Sequence, residues 1–417
     1  MIKRIIRSAE PLFRQPLVSV LNQRTGNPDY FEANQSNFPQ LHQAYPFSFI
    51  SRELKGGQQH GLREYEMRNG LITTRVLNGP NMSIFDAMLN DDSGRGWHFG
   101  QDRQPINPRI VDLNNGNGTG WVRLFQYAGN HVFGDGGGPA FTEDIELNTG
   151  AIVELRQPLH KGGFNVLPNE VSIEFRNDPI AEMLLRAEQA EGQYTFGVWL
   201  KAVTKISVDL KLPVIQVIQA LSNEDEMARS YNAIYHLNQV AEEGTRIIAP
   251  IKTLRPRDGN GQMDRWSNDG VFTFGKLSAD NAGEQVLYAE PWSDTNGNTE
   301  AIIVSKDGES AVSFSWNVHD MPYLTLWLRE RLKNPGAAIE PGKTWSTGFD
   351  ILKAGKAKGV GMSKIPLLPS GKISEVKYQV EVITGKSNVD TAIQRVQSLA
   401  KGSMTRITEP FESQTLF

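Results

Sequence analysis

Two stretches alternate apolar and polar side chains without a break: Glu170-Val171-Ser172-Ile173-Glu174-Phe175-Arg176 and Ile206-Ser207-Val208-Asp209-Leu210-Lys211-Leu212. A period of two sends successive side chains to opposite faces of an extended chain, so each segment offers one face to a core and one to water. A helix would need its apolar residues every three to four positions instead. Further strands are readable at residues 270–274, 285–289, 299–304, 310–315, 323–328 and 345–352. Gly- and Asn-rich punctuation separates many of them, as in Asn115-Gly116-Asn117-Gly118, Asp258-Gly259-Asn260-Gly261 and Asn296-Gly297. Asn69-Gly70, between Glu64-Tyr65-Glu66-Met67 and Ile72-Thr73-Thr74-Arg75-Val76, is a hairpin signal, because both residue types tolerate the positive φ of a tight turn. Many short strands joined by such turns predict an all-β sandwich or barrel.

A chain of 417 residues can build one large β domain. Residues 1–60 mix Gln, Asn and aromatics without a sustained period and read as an N-terminal extension. Residues 61–360 read as the main antiparallel β-sandwich domain, and 361–417 as a C-terminal strand and helix packed on it. In that last stretch Val389, Ile393, Val396 and Leu399 recur at spacings of four and three, Asn388 or Asp390 can cap the N-terminus, and Lys401-Gly402 can close the helix.

Composition excludes several function classes. The formal charge is −4 and no basic run interleaves with aromatics, so nucleic acid is not an expected partner. No stretch approaches the ~20 apolar residues of a membrane helix, and no membrane partner is expected. Cysteine is absent, which removes disulfides, thiolate nucleophiles and Cys-based zinc sites. None of the seven histidines forms a zinc-binding i, i+4 pair, so no metal is expected. Gly-Xaa-Ser-Xaa-Gly does not occur, and the glycine run at 134–138 lacks the Lys-Ser/Thr of a phosphate loop. Met1–Val20 lacks the apolar run of a secretory signal, and the chain is expected to be cytoplasmic.

Three segments carry groups able to do chemistry. Tyr235-His236-Leu237-Asn238 lies on a predicted strand, Glu340 sits between Ala337-Ala338-Ile339 and Pro341-Gly342, and His160 precedes Gly162-Gly163. An imidazole is half-charged near neutral pH and a carboxylate is a base there, a combination that moves protons on and off a sugar ring. The tyrosine could stack on the apolar face of a sugar and the asparagine amide could bond its hydroxyls. The bland alternatives are a satisfied core imidazole, a carboxylate at a strand end and an ordinary tight turn.

The order of several short motifs resembles the galactose mutarotase-like superfamily, and within it the aldose 1-epimerase-like branch called DUF4432. The segments are residues 76–87, Gly120-Trp121-Val122-Arg123-Leu124-Phe125, Pro158-Leu159-His160 with Leu167-Pro168-Asn169-Glu170-Val171, Tyr235-His236-Leu237-Asn238, Pro256-Arg257-Asp258, Trp327, and Ile339-Glu340-Pro341-Gly342. They run in order over roughly residues 65–355. The resemblance implies a β-supersandwich with a sugar cleft across one sheet, and no metal or organic cofactor. It implies Glu340 as the base that takes the anomeric proton, His236 as the acid that protonates the ring oxygen, and His160 as a substrate contact sharing the acid role. It further implies Arg123 fixing hydroxyls or an anionic group and Trp327 as a stacking face, with Asn238, Arg257 and Tyr235 completing the sugar contacts. Lys161 stands where the family has glycine after the histidine, residues 130–133 depart from its pattern, and the N-terminal extension has no counterpart.

The expected function is therefore that of a cofactor-independent carbohydrate mutarotase or epimerase acting on a free or acidic sugar, with homo-oligomerisation left open. A carbohydrate-binding protein without chemistry is the first rival. A sandwich related to sugar-active hydrolases or lyases is the second.

Overall fold

A computed structural model of the chain describes residues 30–38, 46–78, 82–91, 93–98, 107, 129–133, 142–146, 152–156, 168–176, 180–193, 197–226, 228–230, 232–257, 263–278, 284–332, 335–345 and 366–411. Its frame is three sheets. The first is a six-stranded meander that takes its strands in chain order, from Tyr30–Asn34 to Gly96–His98. Two of those strands, Tyr30–Asn34 and Ser48–Glu53, come from the stretch read as an extension, and the second pairs in register with Arg63–Arg68. The Asn69-Gly70 hairpin forms, though neither residue takes a positive φ; Asn69 Oδ1 instead accepts from the N–H groups of Leu71 and Ile72, and Arg63–Arg68 pairs antiparallel with Ile72–Leu77.

The second sheet has nine strands. In spatial order they are Glu170–Arg176, Glu182–Gln193, Gly197–Asp209, Val214–Asn223, Ile373–Thr384, Ser310–Asn317, Asn298–Val304, Arg246–Ile248 and Val271–Thr273. The first alternating segment of the sequence lies in it, and the second only as far as Asp209: residues 210–212 belong to the turn into Val214–Asn223, with Leu212 exposed. In Glu170–Arg176 the residues Val171, Ile173 and Phe175 are buried while their neighbours keep exposure, so burial alone explains the period.

The third sheet has seven strands, ordered Thr405–Arg406, Ile251–Pro256, Gln285–Pro291, Tyr323–Arg329, Gly336–Gly342, Asn232–Val240 and Gly129–Phe133. Its central strands, Tyr323–Arg329 and Gly336–Gly342, are buried along nearly their whole length, the mark of cover on both faces. One face supplies Tyr235, Leu237, Leu254, Leu287, Leu324, Leu326, Leu328, Ala337 and Ile339 to the main core. The nine-stranded sheet contributes Val217, Leu221, Ile303, Phe314, Val376 and Tyr378 to the same core. The two sheets therefore pack face to face, as layered β domains must to bury an apolar face each.

The single α-helix among the described residues, Lys386–Gln397, covers the back of the nine-stranded sheet. Val389, Ala392 and Val396 meet Ile248, Ile302, Val304, Ala311 and Ile383, the residues whose alternation points them away from the main core. The helix begins ahead of the expected caps. Gly385, at φ 83°, turns the chain out of Ile373–Thr384, while the Asn388 side chain donates back to the Thr384 carbonyl. No described helix is long and apolar enough to cross a membrane.

Candidate active site

The face of the seven-stranded sheet turned away from the core carries the candidate chemistry. In Asn232–Val240 the alternation sends Tyr235 and Leu237 into the core and His236 and Asn238 to the other side. The register then selects the neighbours. Ile234 lies against Gly342 and Leu237 against Ile339, which sets His236 beside Glu340. Glu340 pairs on its other flank with Thr325, Thr325 with Tyr288, and Tyr288 with Arg255. Two residues along, a second row runs Asn238, Ala338, Trp327 and Val286.

His236 Nε2 is 2.9 Å from Glu340 Oε1, and the two side chains are only 3% and 2% exposed. They are side by side on one face, in direct contact. A cross-strand pair is held this way because facing residues have Cβ atoms only about 5 Å apart. Asn238 and Thr325 are buried beside the pair. The Trp327 ring lies 6.3 Å from the imidazole at 56°.

Trp327 is oriented by a residue the sequence reading passed over. Its indole Nε1–H donates to Glu284 Oε2 at 2.8 Å, and the other oxygen of Glu284 accepts from Arg257 Nη2 at 3.0 Å. Glu284 immediately precedes Gln285–Pro291, so alternation puts it on the same face as Val286 and Tyr288. Only the pairing of Val286 with Trp327, a contact 41 residues apart in the chain, reveals that this face is the one holding His236.

An aromatic cluster bounds the site on the Tyr288 side. Trp345 stacks on Tyr288 at 5.2 Å and 10°, Tyr323 meets Trp345 at 5.2 Å, and Phe411 packs edge-on against both Tyr288 and Trp345. Beyond it Arg255 is 8% exposed and its Nε has no hydrogen-bond partner. Burial lowers the hold of this guanidinium on its proton, against the opposing charge of Glu409. A separate cavity of about 260 Å³ lies between the edge of the six-stranded sheet and the other two, lined by Gly94, Gly96, Gln239, Glu242, Thr245 and Ser310 among others. It does not include His236 or Glu340.

Of the residues singled out in the sequence, Glu340, His236, Asn238, Trp327 and Arg257 thus share one face. Tyr235 does not. Its hydroxyl donates to Gln219 Oε1 at 2.8 Å and its ring packs 5.1 Å from that of Tyr378, both on the nine-stranded sheet. Its place next to His236 in the chain is what excludes it, since neighbours on a strand face opposite ways. His160 and Arg123 lie outside the described residues. Among the described residues no group of three or more His, Asp or Glu could hold a metal ion.

This sandwich is that of the galactose mutarotase-like proteins. A candidate aldose 1-epimerase of Klebsiella pneumoniae subsp. pneumoniae superposes with a TM-score of 0.77 at 20% identity, over 94% of this chain and 98% of that one. A galactose mutarotase-like protein of Clostridium acetobutylicum gives 0.53 at 10% identity, over 86% and 100% of the two chains. A candidate aldose 1-epimerase of Escherichia coli K12 gives 0.51 at 11%, over 78% and 100%. No curated protein matches. The chain itself belongs to the DUF4432 family, a domain of unknown function, whose model matches residues 59–380.

Proposed function

We propose that the protein is a cofactor-independent mutarotase or related epimerase, with Glu340 and His236 as its base and acid. The observation that carries this reading is the 2.9 Å contact between the two groups on the face shared with Trp327. The anomeric hydroxyl and the ring oxygen of a pyranose are bonded to the same carbon. A base for one and an acid for the other can therefore be close neighbours.

Glu340 takes the proton of the anomeric hydroxyl as the C1–O5 bond breaks, and His236 delivers a proton to O5. The product is the open-chain aldehyde. Rotation about C1–C2 presents the other face of the carbonyl. In the return step O5 attacks C1, the carbonyl oxygen regains a proton from Glu340, and O5 gives its proton back to His236. Both groups end as they began, so no co-reactant is needed. Trp327 and Asn238 lie beside the pair at 1% and 0% exposure, so a sugar reaches the indole face and the amide only if the site opens.

The near-complete burial of the pair favours a second reading, a sugar-binding protein that has lost its chemistry, since 2–3% exposure leaves little access without movement. Proton-exchange NMR of anomers on a panel of free sugars and uronic acids separates the two. An enzyme speeds exchange over buffer and loses that effect on Glu340→Gln. A panel on which the wild type never exceeds buffer overturns the assignment.

A further inference from the structure

A strand at the end of a sheet leaves a row of N–H and C=O groups without a strand to pair with. At the ends of the three large sheets the longest such strand is Glu170–Arg176, with seven residues. Thr405–Arg406, Gly96–His98 and Val271–Thr273 close their sheets with two or three residues, and Tyr30–Asn34 and Gly129–Phe133 with five. No described strand pairs with the outer side of Glu170–Arg176. The usual devices that stop an edge from pairing are missing from it as well. It contains no proline, glycine or lysine, and it pairs with Glu182–Gln193 over all seven residues without a bulge.

The side chains of this edge are their own complement. Alternation turns Val171, Ile173 and Phe175 into the core and Glu170, Ser172, Glu174 and Arg176 to the outer face. A second copy can be laid antiparallel against the edge with Ile173 opposite Ile173. Glu170 then faces Arg176 of the second copy and Ser172 faces its Glu174, each twice by symmetry, while Val171 faces Phe175 on the core side. Other registers that keep the faces matched lose this. Centred on Ser172, the pairing sets Glu170 against Glu174; centred on Glu174, it sets that carboxylate against itself. The groups are also placed for it. Glu170 is exposed, its side chain makes no hydrogen bond or ion pair among the described residues, and its cross-strand neighbour is the like-charged Glu188. Arg176 is held by Glu174 at 2.6 Å and Glu182 at 3.5 Å, yet keeps 25% exposure. Its bonds to Glu174 both fall on Oε2, which leaves Oε1 for a hydroxyl.

We propose that two copies of this chain associate through Glu170–Arg176, about a two-fold axis at Ile173, so that their nine-stranded sheets continue into one another. The contact is short, so the dimer is weak and depends on concentration. It stands apart from the sugar chemistry, because the edge belongs to the sheet opposite the one that carries His236.

Sedimentation velocity on the full chain, over a concentration series, tests this with two charge reversals. The wild type should pass from monomer to dimer. Glu170→Arg, at an exposed side chain, changes both symmetric pairs at once and should weaken association about tenfold or more. Arg176→Glu should do the same. Mixed in equal amounts, the two variants restore both pairs and should dimerise better than either alone. If Arg176→Glu fails to fold, Ser172→Cys and Glu174→Cys decide instead. The chain has no other cysteine, so oxidation should link the two variants when mixed and neither by itself. A wild type that stays monomeric throughout, an undiminished dimer in Glu170→Arg, or a mixture of the cysteine variants that does not cross-link overturns the proposal.

Discussion

The placement of Tyr235 can be tested apart from any activity. Its phenol reaches across the core to Gln219 Oε1 at 2.8 Å, and both residues are nearly fully buried, at 1% and 2%. Gln219 in turn donates from Nε2 to Thr204 Oγ1 at 3.1 Å, so its amide is already oriented and cannot turn to find another donor without breaking that bond. Tyr235→Phe keeps the ring packed against Tyr378 and removes only the hydroxyl. The cost is the lost bond plus a buried acceptor left unpaired, about 1–3 kcal/mol. Urea unfolding of wild type and variant measures it as a shift in midpoint at unchanged slope. A double-mutant cycle with Gln219→Leu should give a coupling of about 0.5–3 kcal/mol, because the two side chains share one contact. Anomer exchange should be unaffected, since the phenol faces away from Glu340. A variant as stable as the wild type but weakened in sugar binding would place Tyr235 on the other side of the sheet and refute the assignment of faces.

Two further outcomes follow from local geometry. Glu330, 6% exposed, accepts from Arg265 and from the Gly275 N–H at 2.7 Å. Burial alone would raise its carboxyl, but these bonds and the Arg265 charge hold it below the ordinary glutamate range. A depressed carboxyl stabilises the fold above its unfolded-state pKa and loses that contribution as pH falls through the folded value. Glu330→Gln should therefore cost about 1.5–3 kcal/mol at pH 7, with the gap to wild type narrowing in acid, as urea titrations at several pH values would reveal. Gly342→Ala would bring a Cβ within 2.7 Å of both Ile234 Cγ2 and the Thr344 carbonyl. It should destabilise by about 1–3 kcal/mol, and a midpoint equal to that of wild type would mean the strand carrying Glu340 has room to spare.

What could be read from the sequence was what a strand or turn declares locally. The alternation of residues 170–176 became a paired strand, Asn69-Gly70 became a hairpin, and Val389 and Val396 became the buried stripe of a helix. The helix start was misread because its cap is set by the preceding strand and by Gly385, not by a side chain at Asn388 or Asp390. His236 and Glu340 could be nominated by chemistry and resemblance, but their contact depends on the register of Asn232–Val240 against Gly336–Gly342, and a shift of one residue would have turned either group into the core. Tyr235 was excluded more simply, by alternation, because it neighbours His236 on one strand. Glu284 carried no local signal, and only the pairing of Gln285–Pro291 with Tyr323–Arg329 brings it to Trp327. The division of the strands among three sheets was not legible either, since the pairings that build the two larger sheets, such as Val214–Asn223 with Ile373–Thr384 and Asn232–Val240 with Gly336–Gly342, join segments far apart in the chain.

The central claim is that His236 and Glu340 act as one unit on one sugar carbon. The measurement closest to it is anomer exchange by magnetisation-transfer NMR for the wild type, Glu340→Gln, His236→Asn and the double variant, on the sugar that the wild type turns over fastest. If the two share a single step, each single change should lower kcat/KM by about 10²–10⁴, and the double variant should be little worse than the poorer single one. Exchange at the wild-type rate in Glu340→Gln, or losses in the singles that simply multiply in the double, would contradict it.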